Sequence, residues 1–248
     1  MKFSFLTIFL IICFSSFTQV VNIEKKRFSS NDKKFQGNID LSVNFIKSTK
    51  NIIQGKNVVK LQYFKERTTY LFFNDITIMQ VDTQSYLNSG FQHLRYNYDL
   101  KNKWLIAEAF TQIQYNKIQK LHRRFLWGTG TRYRIHNKPK LKLFAGTSFM
   151  YEFELLEDNQ SSDKIRLNLY LSTNFEIKEN LNFGHITYYQ PALNYFDDFR
   201  LSSETNMKMK ISDKLIYKVA FSFSYDSEPP EDIQNLFYNF NNGISYIF

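Results

Sequence analysis

The histidines are the residues of this sequence best suited to acid–base chemistry, and there are only four: His93, His122, His136 and His185. A hydrolase needs a base within reach of its nucleophile, and none of the four stands in a recognisable motif with a serine. The sequence also contains no glycine-rich phosphate loop and no paired-histidine metal motif. It therefore predicts no catalytic residue, no cofactor and no metal site, and it favours surface or lumen positions for the histidines.

Charged residues that recur at every second position form a more promising set. Rows of this kind line membrane barrels, where they select solutes or pair with one another and fill the interior. The predicted lumen-facing residues are Glu108, Arg124, Arg132, Arg134, Lys142, Glu152, Glu154, Arg166, Glu176, Arg200, Glu204 and Lys208. We favour a narrow or mostly filled lumen, because twelve strands lie between the roughly eight that hold only side chains and the roughly sixteen that give a channel.

Two acidic groups in connecting segments form a third candidate. One group holds Asp197 and Asp198, and the other holds Asp226, Glu228, Glu231 and Asp232. Carboxylates bind divalent cations, but these groups lack the spacing of a known calcium loop. The sequence therefore favours solvated surface charge at both places.

The elements that must position these side chains are strands. The segment KIRLNLYLSTNFEI, residues 164–177, alternates apolar and polar residues throughout, and no helix buries a pattern with a period of two. The same alternation predicts about twelve strands: 34–47, 52–64, 68–80, 84–98, 104–116, 122–136, 140–154, 163–177, 181–194, 199–211, 215–226 and 236–248. They are longer than the usual soluble strand of about 5–6 residues and suit a tilted membrane strand of about 9–11 residues plus its overhang. Poor alternation from Thr68 to Met79 predicts a β-bulge there.

The connections between these strands fall into two classes. Every second connection is short and mostly carries lysine (KERT, LKNK, NKPK, IKEN, SDK), whereas the intervening ones include the longer, acidic LLEDNQSSD, YFDDF and DSEPPEDIQN. Short turns on one side and longer loops on the other are typical of outer-membrane barrels. We expect the basic turns to face the periplasm, together with both termini.

The N-terminal residues predict export. An apolar run from Phe3 to Phe14 follows one lysine and precedes small residues, and it is too short for a comfortable membrane span. We expect a signal peptide at 1–18, a short periplasmic segment at 19–33 and the barrel at 34–248. The single cysteine, Cys13, would leave with the signal, so the mature chain would have no disulfide and no thiolate nucleophile. The formal charge of +9 permits a nucleic-acid partner, but export argues against one.

The C-terminal residues NNGISYIF place aromatic side chains in phase up to the last position. In a closed barrel the last strand pairs with the first, so a chain can end inside a strand. Tyr246 and Phe248 resemble the C-terminal signature by which outer-membrane barrels are handed to their insertion machinery. We therefore expect that machinery to be a partner.

Several stretches together carry a resemblance to a known family. They are RYNYDL, Trp104 with AFTQIQYN, GTGTRYRI, SFMYEFE, YYQPALNYFDDFRLSSE and SYDSEPPE, which span about residues 92–231. They are similar to the family of the domain of unknown function 481, the "putative salt-induced outer membrane protein" family, over residues 35–248. The resemblance implies an outer-membrane barrel of undefined activity, and it carries over no catalytic residue.

The sequence therefore predicts an all-β fold, a single closed antiparallel transmembrane β-barrel of about twelve strands in the outer membrane of a Gram-negative bacterium. Membrane lipid and lipopolysaccharide are the expected surroundings, and the expected role is a narrow pore or a structural barrel linked to envelope stress. One alternative is an outer-membrane lipid-modifying enzyme, which predicts a histidine clustered with a serine or an acid on the lipid-facing wall. The other is a soluble periplasmic ligand-binding barrel, which predicts apolar residues pointing inward.

Overall fold

The computed structural model describes residues 34–101 and 104–246 as one antiparallel sheet of twelve strands. The strands are β1 (Phe35–Lys47), β2 (Asn51–Lys65), β3 (Thr68–Val81), β4 (Gln84–Asp99), β5 (Leu105–Asn116), β6 (Leu121–Lys138), β7 (Leu141–Leu156), β8 (Ser161–Lys178), β9 (Leu181–Pro191), β10 (Phe199–Lys210), β11 (Leu215–Asp226) and β12 (Leu236–Tyr246). A short 3₁₀ turn at Lys117–Gln119 joins β5 to β6. The all-β prediction and the number of strands are therefore confirmed. The predicted signal peptide at 1–18 and segment at 19–33 lie outside the described residues.

The predicted ninth strand is too long, because β9 ends at Pro191 rather than at residue 194. Ala192 forms an isolated bridge with Arg166, and the backbone then turns toward Asp198. Proline has no N–H to offer to a ladder and tends to lie where a strand ends. The acidic segment YFDDF, residues 195–199, thus lies in and just after a true connection between β9 and β10.

The connections differ less in length than the sequence suggests. We call the end of the sheet that carries the connections 48–50, 82–83, 117–120, 157–160, 192–198 and 227–235 the loop end, and the opposite end the turn end. The predicted loop LLEDNQSSD shrinks to residues 157–160, because β7 and β8 extend into it. Two-residue turns occur at both ends, with Glu66 at the turn end and Asp82 at the loop end each at a φ of 51°. Tight hairpins require such positive φ values.

The two faces of the sheet have opposite character. The outward face exposes large apolar side chains, among them Leu41, Leu94, Trp127, Phe149, Leu171 and Phe240. The inward face buries charged and amide side chains, among them Arg124, Glu152, Arg166, Asn168 and Arg200. Aromatic rings gather in two groups on the outward face. Tyr63, Tyr70 and Tyr96 stack near the turn end, and Tyr189, Phe199 and Tyr225 stack near the loop end.

Strand β3 is irregular for a reason that its sequence only partly indicates. Inward-facing Leu71 and Phe73 pack with Phe91, so this part of the interior is apolar. Outward-facing Asn74 is buried and exchanges hydrogen bonds with Asn57 at 2.6 Å and Gln92 at 3.1 Å. The register of β3 against β4 shifts between Met79 and Gln80, at the end of the segment in which a bulge was predicted.

The sheet curls so that distant strands meet around one interior. Gln62 on β2 and Asn206 on β10 line the same cavity, although seven strands separate β2 from β10 in the sheet order. Within the described residues, no pairing joins β1 to β12, so these two strands are the edges of the sheet. Closure of the barrel by that pairing therefore stays a prediction. Among the described residues, no helix has the length and apolar character needed to cross a membrane.

Candidate functional site: the charged lumen

Arg200, at the start of β10, is the centre of a buried charged network at the loop end. Its guanidinium contacts three carboxylates: Glu152, Glu154 at 2.8 Å and Asp226 at 2.8 Å. Glu152 and Glu154 lie on β7, three strands from β10 in the sheet. A planar guanidinium carries five N–H donors in a fixed geometry, which allows one arginine to bridge several carboxylates. Arg200 therefore ties β7 to β10 across the interior.

Two further arginines complete the surroundings of the β7 carboxylates. Arg124 on β6 donates to Glu154 at 2.8 Å, and Arg166 on β8 donates to Glu152 at 2.9 Å. Their side chains are only 2% and 1% exposed. Removing a charge from water costs several kcal/mol unless partners replace the lost hydration. The ionic bonds around Glu152 and Glu154 supply that replacement.

Asp198, in the connection between β9 and β10, extends the network to the loops. Its carboxylate accepts from Lys164 at 2.5 Å and from Arg166 at 2.9 Å. Burial acts to raise the pKa of Asp198, but the hydrogen bonds and charges of Lys164 and Arg166 outweigh burial and lower the pKa below its ordinary value. Asp198 is therefore held in its charged form at neutral pH.

Charges of opposite sign are equal in number in this network. We call it the loop-end plug and define it by eight residues: Arg124, Glu152, Glu154, Lys164, Arg166, Asp198, Arg200 and Asp226. Four of them are basic and four are acidic. Because the cluster has no formal net charge, it gives neither cations nor anions a favourable place to enter.

A second bridge crosses the interior below the plug. The hydroxyl of Tyr170 on β8 donates to the Glu108 carboxylate on β5 at 2.7 Å. The tyrosine ring lies directly over Gly146 on β7, where an added Cβ would overlap the ring. Arg95 on β4 approaches the same carboxylate, at 3.6 Å. The missing side chain at Gly146 thus lets Tyr170 reach a strand three places away.

The loop end carries one further contact across its mouth. Lys120, beside the 3₁₀ turn, donates to the backbone oxygen of Glu231 at 2.9 Å and to the Asp232 carboxylate at 3.0 Å. These acidic residues belong to the connection between β11 and β12, on the other side of the sheet order. This exposed contact holds two loops together above the plug.

The turn end is open by comparison. A cavity of about 520 Å³ lies there, lined by residues of nine consecutive strands from β2 to β10. Three of its side chains are basic, Arg132, Arg134 and Lys142, and two are acidic, Asp99 and Glu176. We call this cavity the vestibule. A second cavity, of only about 40 Å³, lies against the loop-end plug, where Arg124, Glu152 and Arg200 line it.

The arginines of the vestibule are held in fixed positions. Arg134 donates to Asp99 at 2.7 Å, with both side chains partly exposed. Arg132 is 4% exposed, and its guanidinium lies 3.9 Å from the centre of the Phe144 ring. A cation over an aromatic face is stabilised by attraction to the ring, and its side chain therefore rotates less freely. These two side chains therefore present their charge to the cavity in defined places.

The predicted lumen residues fall into three groups. Five belong to the plug (Arg124, Glu152, Glu154, Arg166 and Arg200), Glu108 lies in the middle, and Arg132, Arg134, Lys142 and Glu176 line the vestibule. Glu204 and Lys208 share a face of β10 with Arg200 and with Asn206 of the vestibule. Tyr246 is exposed at the end of β12, and Phe248 lies outside the described residues.

Three residues of the plug are missing from the predicted lumen set: Lys164, Asp198 and Asp226. Lys164 lies two residues before Arg166 on β8, and this spacing could have indicated that both side chains point into the lumen. Asp226 ends the predicted strand 215–226 in phase with Ser222 and Ser224, and it points inward toward Arg200. Asp198 was considered only as a loop carboxylate, whereas the structure turns it inward toward Lys164 and Arg166. Within residues 34–101 and 104–246, no group of three or more histidine, cysteine or acidic side chains has an arrangement that holds a metal ion.

The histidines His93 on β4 and His185 on β9 have different surroundings. His93 is buried in the lumen, where it contacts Gln112 at 2.9 Å and accepts from Arg95 at 3.3 Å. His185 lies on the outward face of β9, within 2.8 Å of the Thr205 hydroxyl and 3.1 Å of the Thr187 hydroxyl. Thr187 also donates to Ser203 at 3.1 Å. The outward wall therefore carries one polar cluster around a histidine.

Comparison with known proteins gives a family match and several structural likenesses. The model of the family described as "Protein of unknown function, DUF481" matches residues 39–248. None of the curated proteins compared with the chain matches it. The family match includes all twelve strands, apart from the first residues of β1.

Two porins and a channel are among the solved structures that resemble the fold. The NanC porin is 8% identical with a TM-score of 0.47, over 79% of this chain and 94% of that one. The KdgM porin, in complex with disordered oligogalacturonate, is 11% identical with a TM-score of 0.40, over 83% and 98%. The outer membrane channel DcaP of Acinetobacter baumannii is 9% identical with a TM-score of 0.38, over 86% and 80%.

Proposed function

The chain belongs to the DUF481 family of proteins of unknown function, and from this premise we propose that it is a non-enzymatic barrel of the Gram-negative outer membrane. In this proposal the twelve strands close by pairing β12 with β1. The lumen is plugged at the loop end, which faces outward, and open at the turn end, which faces the periplasm. The protein then offers a periplasmic vestibule rather than a continuous pore.

The outward face supports the membrane location. Its apolar side chains are exposed on most of the strands, which water disfavours and hydrocarbon accepts. The aromatic groups near the two ends match the girdles that sit at the membrane interfaces. Membrane lipid and lipopolysaccharide are the proposed surroundings of this face. The soluble-barrel alternative requires apolar residues inside, and the plug is charged.

Closure is supported by the curl of the sheet. Strands β2 to β10 already surround one cavity, so β1 and β12 are the two strands left to meet. Twelve strands in up-and-down order leave β1 and β12 antiparallel, as a hairpin ladder requires. Closure also satisfies the backbone groups of both edges, and open edges are not tolerated in hydrocarbon.

The loop-end plug is the single observation that carries the proposal of a blocked lumen. An ion that passes from the loop end would have to separate Arg200 from Glu152, Glu154 and Asp226 in a buried place. Breaking one partner out of a buried ionic group costs about 3–5 kcal/mol. The side chains that cross the lumen therefore obstruct an ion sterically, and moving them apart adds this cost to its passage.

Ion conductance in a planar lipid bilayer tests the proposal. We expect folded wild-type protein, verified by its heat-dependent gel mobility, to give no steady conductance. The charge-neutral double variant Arg200→Ser/Glu152→Ser removes side chains that cross the lumen and should give discrete steps. The matched double variant Arg134→Ser/Asp99→Ser in the vestibule should give no steady conductance. Discrete steps from wild-type protein would refute the blocked lumen.

A second candidate function, a lipid-modifying enzyme, is favoured by the His185 cluster. That alternative requires a histidine with a hydroxyl on the lipid-facing wall, and His185, Thr187 and Ser203 stand in such an arrangement. Polar groups facing lipid are costly and often functional. The test is release of fatty acid from phospholipid vesicles by folded protein. Release that disappears in His185→Ala but persists in His122→Ala would establish this candidate in place of the first.

A further inference from the structure

We propose that the vestibule binds a small hydroxylated organic anion that arrives from the turn end. This inference deepens the proposed function, because it rests on a lumen that opens to one side only. The size of the vestibule, its charge and its polar lining all point to this ligand class.

The size of the vestibule suits a small molecule. Its volume of about 520 Å³ lies within the range of roughly 300–1,000 Å³ that is typical of ligand sites. Side chains from nine strands surround it, and the bridge from Tyr170 to Glu108 and then the loop-end plug lie beyond it along the lumen. A solute that enters from the turn end therefore meets a closed end and stays, instead of passing through.

The charge of the vestibule favours an anion. Arg132, Arg134 and Lys142 face Asp99 and Glu176 across it, so basic groups are in excess. On the inward rows of the strands around it, Lys60 on β2 and Lys208 on β10 add two positive charges and Glu204 on β10 adds one negative charge, so basic groups still exceed acidic ones. Low-dielectric walls focus such a potential into the cavity.

Arg132 is the residue best placed to bind the charged group. It lines the cavity and is almost fully buried, and its guanidinium lies 3.9 Å from the centre of the Phe144 ring, which restrains its position. A guanidinium carries its N–H donors in a fixed fork that matches a carboxylate with two parallel hydrogen bonds. A lysine at this position would offer the charge without the fixed geometry.

The uncharged lining favours a ligand with hydroxyl groups. Asparagines from five strands line the cavity: Asn97 on β4, Asn137 on β6, Asn174 on β8, Asn182 on β9 and Asn206 on β10. An amide both donates and accepts hydrogen bonds, so it suits hydroxyl groups, which do the same. A fully deprotonated inorganic anion such as sulfate offers acceptors only and would leave the acceptors of the amides unused.

Isothermal titration calorimetry of the folded protein in detergent micelles tests the inference by measuring the binding of three probes. Gluconate carries one carboxylate and several hydroxyl groups, glucose is its uncharged counterpart, and sulfate carries charge without hydroxyl donors. We expect gluconate to bind, sulfate to bind more weakly and glucose not to bind. Binding of gluconate should also weaken as the salt concentration rises.

Variants locate the site. Arg132→Gln should weaken gluconate binding at least about tenfold, the loss expected for a charge-assisted hydrogen bond, and Arg132→Lys should lose part of the affinity. The control Arg123→Gln makes the same change at an exposed position at the loop end of the same strand. It should bind as wild type does. If Arg132→Gln fails the gel-mobility test of folding, Lys142→Gln provides the same comparison.

The possible failures are distinguishable. Absence of gluconate binding, equal binding by Arg132→Gln, or equal binding of sulfate would overturn the ligand inference, even if the bilayer stays silent. Steady conductance of wild-type protein would instead refute the blocked lumen, whether or not gluconate binds. Both proposals together predict that gluconate binding depends on Arg132 and that the wild-type protein gives no steady conductance.

Discussion

The loop end and the turn end of the lumen are built from the same kind of alternating charged strand, yet one is filled and the other is open. At the loop end, four basic and four acidic side chains meet within hydrogen-bonding distance. At the turn end, basic groups exceed acidic ones around a cavity of about 520 Å³. The two regions differ in the balance of basic and acidic groups. Buried charges of the same sign repel one another, whereas charges of opposite sign can pack together as ion pairs.

The largest effect should come from removing the centre of the plug. Arg200→Ala leaves Glu152, Glu154 and Asp226 short of a partner in a buried place, so we expect a loss of about 3–5 kcal/mol in the free energy of unfolding. Arg134→Ala, at a partly exposed pair in the vestibule, should cost about 1 kcal/mol or less. Urea unfolding in lipid vesicles measures both values. Equal losses would remove the distinction between the two regions.

The bridge below the plug should be the next most sensitive place. Gly146→Ala puts a methyl group into the ring of Tyr170 and displaces its hydroxyl from Glu108, so we expect a loss of about 1–3 kcal/mol in unfolding free energy. Gly243→Ala on β12 is the control, because an added Cβ there meets nothing within 4 Å. If both alanines are tolerated alike, Tyr170 does not depend on the missing side chain at Gly146.

The pH dependence of stability should report Asp198. A lowered pKa in the folded state means that Asp198 stabilises the fold above its unfolded pKa of about 3.9, and that this contribution disappears as the pH falls through the lower, folded-state pKa. Wild-type protein should therefore lose more unfolding free energy between neutral and acidic pH than Asp198→Asn does. The exposed neighbour Asp197→Asn should follow the wild-type curve. Parallel curves for wild type and Asp198→Asn would contradict this role.

The smallest effect should come from the contact across the loop-end mouth. Lys120 and Asp232 are 44% and 82% exposed, so their pair is screened by water and salt. Lys120→Ala should cost about 1 kcal/mol or less in unfolding free energy and leave the bilayer silent. Conductance steps from this variant would show that the contact between the loops, and not the plug, blocks the lumen.

The strands and their faces could be predicted from the sequence because they depend on local alternation. Arg124, Glu152 and Arg166 follow from the period of two, since each inward position is set by its neighbours along the strand. The vestibule and the plug could not be told apart in this way. Their difference depends on which residues meet across the lumen, such as Arg200 with Glu152 and Tyr170 with Glu108, and these pairs are far apart in the chain.

The loop residues show the same limit. Asp198 lies beside Asp197 in a segment without alternation, so its inward direction has no local signal. That direction is set by Lys164 and Arg166, which attract its carboxylate. The lengths of β7 and β8 were predicted too short, because backbone pairing between two strands also leaves no local signal. This pairing extends both strands into LLEDNQSSD, although the polar residues of that segment are typical of a loop.

The difference between the two ends is tested most directly by labelling single cysteines with a membrane-impermeant maleimide. The only native cysteine, Cys13, lies in the predicted signal peptide, so the mature chain provides a clean background. We expect Asn206→Cys in the vestibule to react only after the outer membrane is permeabilised, whereas Asp158→Cys in the connection between β7 and β8 reacts in intact cells. Equal labelling of Asn206→Cys in intact and permeabilised cells would show a lumen open to the outside and contradict the account.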